Sequence, residues 1–338
     1  MTHAPRRSRP RARLAPLLCL LSTCALVVAQ SPPPARHATA QHQPPAPPVK
    51  LNVIVSDGSG GSAAEVRREE ISVKEDGVPQ TITQFTKEEL PVSYALVIDN
   101  SGSVSPLLNY VVRTAGTIVS GNKAGDETMI VRFVDSDKIE QIQDFTDDSG
   151  DLERALASLY IDGGHTAVID AVYVSAQRVA ARRKEDAGRR RALVLISDCE
   201  NRASRYSESE LINLLRREGV QVFVIAFLMG LDDNTWSREH SPKWRAIKLA
   251  EKLAAETGGR AFFPKKVDEL IKAVAEVSRD LRSQFVVTYA SANANADGKF
   301  RKVEVKIADA PGRAKRKAVT RAGYFAPGGG PEGKKKEK

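Results

Sequence analysis

Cysteine is almost missing from this chain, with three among 338 residues. Cys19 and Cys24 fall inside an N-terminal apolar run, so Cys199 stands alone beyond it and no intramolecular disulfide can form there. Stability must then come from a hydrophobic core, which a chain of this length can supply. No second apolar run of membrane length follows the first. Enzyme signatures are missing too: there is no Gly-x-Ser-x-Gly elbow, Walker loop, His-Glu-x-x-His pair or dinucleotide fingerprint. Evenly spread positive charge is also lacking. The formal charge is +9, but Arg6, Arg7, Arg9, Arg11 and Arg13 precede any acidic residue, and Lys334, Lys335, Lys336 and Lys338 close the chain. Losing the first 29 residues removes five arginines and lowers the charge to +4. A basic bias confined to the termini gives no support to a nucleic-acid partner.

What the N-terminus does contain has the order of an export signal. A basic stretch ends at Arg13, an apolar run follows from Leu14 to Val28, and Val27-Val28-Ala29 offers a cleavage site after Ala29. The run is short and interrupted, which argues against a retained span. The expected products are periplasmic, secreted or surface-held, with no integral span after cleavage. Nothing in the sequence sets an oligomeric state.

Residues 30–48 hold seven prolines among Ala, Gln and His, a spacer with nothing to bury. His37 and His42 read as solvated spacer histidines. Val49 to Val55 alternates apolar and polar, and Ile71 to Val73 and Ile82 to Phe85 read as further strands with an Asp76-Gly77 hairpin turn between them. From Pro91 onward strands alternate with helices. Tyr94 to Ile98, Met129 to Phe133, Ala192 to Ile196 and Val222 to Phe227 are continuous apolar runs, as expected of strands covered on both faces.

The intervening segments show helical spacing: Leu107 to Val119, with Ser105 as cap and Pro106 in the first turn; Ala167 to Val179; a helix opened by the Ser207/Glu210 capping box; Ile247 to Ala254, closed by Gly258-Gly259; and Val267 to Gln284. Phe285 to Tyr289, Phe300 to Ile307 and Val319 to Tyr324 return to strand. The fold class predicted is α/β, a doubly wound, mostly parallel Rossmann-like sheet with a small β module built from N- and C-terminal segments. The divisions are 1–29 signal, 30–48 Pro-rich linker, 49–90 N-terminal β segment, 91–284 α/β domain, 285–325 C-terminal β segment and 326–338 a basic tail expected to be disordered.

Three loop motifs carry chemistry. Asp99-Asn100-Ser101-Gly102-Ser103 follows the first buried strand, Gly163-Gly164-His165-Thr166-Ala167 opens a helix, and Asp198 follows the strand ending near Ile196. In open parallel sheets ligands bind outside the carboxyl ends of the strands. Two carboxylates (Asp99, Asp198) and three hydroxyls (Ser101, Ser103, Thr166) form a hard-oxygen set suited to Mg²⁺, with Mn²⁺ or Ca²⁺ as substitutes.

These motifs resemble those of the von Willebrand factor A family, whose metal-ion-dependent adhesion site reads Asp-x-Ser-x-Ser, a distant Thr and a distant Asp. Asp99, Ser101, Ser103, Thr166 and Asp198 fill all five positions, and the resemblance covers about residues 91–284. The flanking β segments, with the ending Arg321 to Phe325, look like those of bacterial exported relatives. By that resemblance Ser101 and Ser103 would bind the ion directly, Thr166 directly or through water, and Asp99 and Asp198 would mostly hold waters. A Glu or Asp from a protein partner would complete the octahedron. The implied function is exported, metal-dependent protein binding, not an enzyme activity. A metal-dependent hydrolase and an envelope subunit with a purely structural metal stand as alternatives. One departure is Cys199, which occupies a position usually held by Gly in the family.

Outside this set, His165 reads as solvent-facing or loop-packing, and His240, near Trp236 and Trp244, as structural or a partner contact. Cys199 reads as small and half-buried. Arg182-Arg183-Lys184 and Arg189-Arg190-Arg191 read as a solvated helix end and loop, and Lys265-Lys266 likewise.

Overall fold

The computed structural model describes residues 47–57, 65–182, 188–231, 241–309 and 315–328. The expected signal, nearly all of the spacer and the tail beyond 328 lie outside the described residues, as do His37, His42, Arg183, Lys184, Trp236 and His240.

Among the described residues the first elements are β1 (Val49–Asp57), β2 (Ile71–Glu75), β3 (Val78–Gln80) and β4 (Ile82–Glu89). It continues through β5 (Val92–Asp99), α1 (Leu108–Ser120), β6 (Glu127–Phe133), β7 (Ile139–Thr146), α2 (Ser149–Ala157), α3 (Val168–Ala181) and β8 (Arg190–Ser197). Then come α4 (Glu208–Glu218), β9 (Gln221–Ala226), α5 (Pro242–Thr257), β10 (Ala261–Phe262) and α6 (Val267–Arg282). The last elements are β11 (Ser283–Tyr289), β12 (Phe300–Ile307), β13 (Arg316–Val319) and β14 (Gly323–Phe325).

The central sheet has the order β10-β9-β8-β5-β6-β7, parallel throughout except for the antiparallel edge strand β7. Every residue of β5 is buried, because helices cover both sheet faces. The pleat divides its apolar run: Ala95 and Val97 join the core under α3, α4 and α5, whereas Tyr94, Leu96 and Ile98 join the core under α1, α2 and α6. The predicted α/β class and its mostly parallel sheet are what the chain forms.

Two four-stranded sheets flank this unit, ordered β13-β1-β11-β4 and β14-β12-β2-β3. They share a core that includes Leu51, Val53, Val73, Val287, Tyr289 and Val303. N-terminal strands pair with C-terminal ones: β1 lies between β11 and β13, and β2 beside β12. Buried Glu75 accepts from Tyr289 Oη at 2.8 Å, Tyr324 Oη at 2.9 Å and Ser291 Oγ at 2.6 Å. Hydrogen bonds to a charged group contribute roughly 1.5–3 kcal/mol each.

Several local expectations need correction. Ser105 and Pro106 lie in a 3₁₀ segment, Gly102–Leu107; the α-helix starts at Leu108, and its cap, Leu107, makes no side-chain bond. Pro106 has no N–H for the helical ladder, so the chain enters α1 through the tighter turn. The Asp76-Gly77 turn, with φ of 47° and 83°, joins β2 to β3 and not to the Ile82 strand, which pairs with β11 in the other sheet. Val319 to Tyr324 is not one strand. The chain leaves β1's side after Val319 and re-pairs with β12 at Gly323, where a Cβ would sit 2.1 Å from the Arg301 carbonyl oxygen. α6 stops at Arg282, because Ser283 and Gln284 already pair with β4. Arg190 is buried, not solvated. Its guanidinium donates to the carbonyls of Arg282 and Glu88, tying β8 to the end of α6 and to β4.

Candidate metal centre

Asp99 is the last residue of β5, and Asp198 follows the last residue of its parallel neighbour β8. Both therefore sit at the carboxyl edge of the sheet, where the strands' side chains meet the connecting loops. Asp99, Ser101, Thr166 and Asp198 are all buried, none more than 3% exposed. The Ser101 N–H donates to Asp99 Oδ1 at 2.9 Å, and Ser197 Oγ donates to Asp99 Oδ2 at 2.5 Å. Ser101 Oγ and Ser103 Oγ are 3.0 Å apart. The Asp-x-Ser-x-Ser alternation thus turns two hydroxyls to one side of the loop.

Asp198 Oδ1 accepts from the Glu200 N–H at 2.9 Å, while its Oδ2 is buried without a hydrogen-bond partner among the described residues. Burial raises the Asp198 carboxyl above its ordinary range, and the nearby Ser103 hydroxyl and Glu200 N–H offset this only in part. Burial, followed by the charge of Asp198, pushes Asp99 up to about 6. Two buried carboxylates repel each other here, one with an orphaned oxygen, an arrangement that a cation would neutralise. The donors are hard oxygens, which suit Mg²⁺, Mn²⁺ or Ca²⁺.

Thr166 belongs to the same loop cluster through its backbone. Its carbonyl accepts from Arg202 N at 2.8 Å and Ala203 N at 3.2 Å, stitching the Thr loop to the segment after Asp198, and Ala167 N donates to Val134 O at 2.8 Å. His165 is exposed. Among the described residues no group of three or more His, Cys, Asp or Glu side chains gathers for a metal. The set here is two carboxylates with hydroxyls.

Sequence reasoning assigned no role to two residues that hold these loops. Ser197 bonds Asp99 through its hydroxyl, and the same oxygen accepts from Cys199 N at 2.9 Å. Asp170, buried in the first turn of α3, accepts from Tyr206 N at 2.9 Å, Arg205 N at 2.8 Å and Ser136 Oγ at 2.5 Å. A polar residue at a position that should face the core was its only signal. Cys199 is fully buried, not half-buried, and has φ of 59°. That left-handed backbone explains why glycine suits the position, and burial with the charges of Asp198 and Asp99 raises the thiol well above its usual range.

The profile of the von Willebrand factor type A domain matches residues 94–200. No curated protein sequence matches the chain. Among solved structures, the chain is similar to an aerotolerance-related membrane protein from Bacteroides fragilis (21% identity, 56% of this chain and 99% of that one, TM-score 0.43). It is also similar to BatB from Bacteroides thetaiotaomicron (18% identity, 56% and 98%, TM-score 0.44). A third similarity is to manganese-loaded TRAP from Plasmodium vivax (13% identity, 70% and 96%, TM-score 0.44).

Proposed function

Because this chain carries a von Willebrand factor type A domain, we propose that it is an exported protein-binding module that uses one divalent cation to grip an acidic side chain of a partner. The observation that carries this reading is the buried pair Asp99 and Asp198 beside the paired hydroxyls of Ser101 and Ser103, with Asp198 Oδ2 left unbonded. Ser101, Ser103 and Thr166 would hold Mg²⁺, or Mn²⁺ or Ca²⁺ in its place, and Asp99 and Asp198 would supply its charge partners. When bound, the ion supplies a Lewis-acid site for an incoming carboxylate. This chain's residues bury Ser101, Thr166 and both carboxylates, leave Ser103 at the exposed rim and fix the loops. Export rests on the Arg6 to Ala29 pattern. Among the described residues no helix is long and apolar enough to cross a membrane.

A pull-down from envelope extract with Mg²⁺, repeated with EDTA and with Asp99→Ala, tests the reading. A partner retained with Mg²⁺ and lost in both other arms is the expected outcome. Binding indifferent to chelator would overturn it.

A further inference from the structure

Among the described residues exposed large apolar side chains are few, and three of them line one cleft: Tyr110 on α1, Met229 after β9 and Val267 at the start of α6. Val267 and Ile271 are one helical turn apart, 51% and 62% exposed, so α6 turns an apolar strip outward as well as the one it buries. Between Tyr110, Met229, Val267 and buried Leu270 runs a cleft of about 170 Å³, room for one large apolar side chain. Its lining also holds Lys265 and Lys266 and no carboxylate.

The cleft borders the candidate metal centre. A Cβ on Gly230, next to Met229, would stand 3.9 Å from the Ser103 carbonyl oxygen, and Phe227, at the cleft floor, donates its N–H to Ser197 O at 3.0 Å. One ligand segment can therefore reach both features. Packing alone does not account for the outward apolar strip, since each side chain left in water forgoes part of its favourable burial.

We propose that the cleft beside Ser103 is a second subsite of the same binding surface, and that the partner presents an acidic residue to the cation and, a few residues away, a large apolar side chain to Tyr110, Met229 and Val267. Lys265 and Lys266 favour further acidic residues around that apolar anchor. The partner segment is thus acidic and apolar in alternation, not basic. The inference rests on the metal-dependent reading above.

The test uses a displayed library of random dodecapeptides selected on the full chain in MgCl₂. The selected peptides are then measured against wild type, Met229→Glu, Val267→Glu and Asp99→Ala, with MnCl₂ alone titrated into each by calorimetry. Expected are peptides sharing an Asp or Glu and a Leu, Ile, Met or Phe at a fixed separation, bound at least tenfold more weakly by Met229→Glu and Val267→Glu, with Mn²⁺ uptake in those two variants unchanged. Enriched peptides that need a carboxylate but no apolar residue, or that ignore both substitutions, would overturn the subsite and leave the metal reading standing. No Mn²⁺ uptake by wild type would sink the metal reading and the subsite with it.

Discussion

Arg282 Nε lies 2.6 Å from Asp126 Oδ2, and both side chains are buried. Asp126 Oδ1 also accepts from Val92 N at 3.0 Å, and its Oδ2 from Lys123 N at 2.9 Å. The pair thus joins the last turn of α6 to the turn before β6 and to the start of β5. It fixes the end of the helix that leads directly into β11, coupling the α/β unit to the flanking sheets.

Replacing Asp126 by Ala would leave the Arg282 charge buried and unpaired. Breaking one side of a buried pair costs about 3–5 kcal/mol. Urea unfolding of Asp126→Ala should show a loss of that size. A loss below about 1 kcal/mol would mean that water reaches Arg282 and the pair is not a clamp.

Asp99→Asn should act with opposite signs in the absence and presence of metal. It removes one of two buried like charges, so the metal-free melting temperature should rise. Mg²⁺ should stabilise wild type by about 2.7 kcal/mol at a hundredfold excess over its Kd, and the variant far less. Scanning calorimetry at several MgCl₂ concentrations measures both effects. A Mg²⁺ response retained in full by Asp99→Asn would remove Asp99 from the cation's partners.

Cys199 combines a left-handed backbone with complete burial. Changing it to Gly should relieve strain of about 1–2 kcal/mol and forfeit a similar amount of packing, so net stability should hardly move. Cys199→Val places a β-branched side chain at the same φ and should lose at least about 2 kcal/mol. The native thiol should resist a disulfide labelling reagent and react only on unfolding, since the thiolate is the reactive form. Rapid labelling of the folded protein would contradict the buried placement.

The legibility of this fold followed the strength of its periodic signals. Tyr94 to Ile98 reads as a buried strand because both faces are covered. Ser207 and Glu210 read as a capping box, and the structure has one, with α5 closing at Gly258 in the left-handed region. The edge strand β7 (Ile139–Thr146) carries only partly buried or exposed residues and escaped notice, as did α2 beside it. The break between Val319 and Gly323 was invisible because changing sheets is a tertiary event, dictated by room at Arg301 and not by local preference. At the candidate centre, the three loop motifs were legible from spacing and strand ends. The supporting roles of Ser197 and Asp170 were not, since they depend on which backbone N–H groups the loops bring near.

Glu70 and Arg316 supply the acid-sensitive contact of the flanking sheets. Glu70 Oε1 lies 2.9 Å from Arg316 Nη2, and its Oε2 accepts from Arg67 N at 2.8 Å, joining the turn before β2 to β13 in the opposite sheet. The Arg316 hydrogen bond and the Arg67 N–H hold the Glu70 carboxyl down at about 2, against an ordinary 4.5. A carboxyl depressed on folding contributes stability that is complete above its unfolded pKa and disappears as pH falls through the folded one. The contribution should therefore fade between pH 4.5 and 2. Glu70→Gln should lower stability at neutral pH and flatten the dependence across that interval, converging with wild type near pH 2. Denaturant melts of both proteins at half-unit steps across that range provide the measurement. Parallel pH curves would show that another carboxylate carries the acid sensitivity and that the Glu70–Arg316 contact is a solvated pair of little consequence.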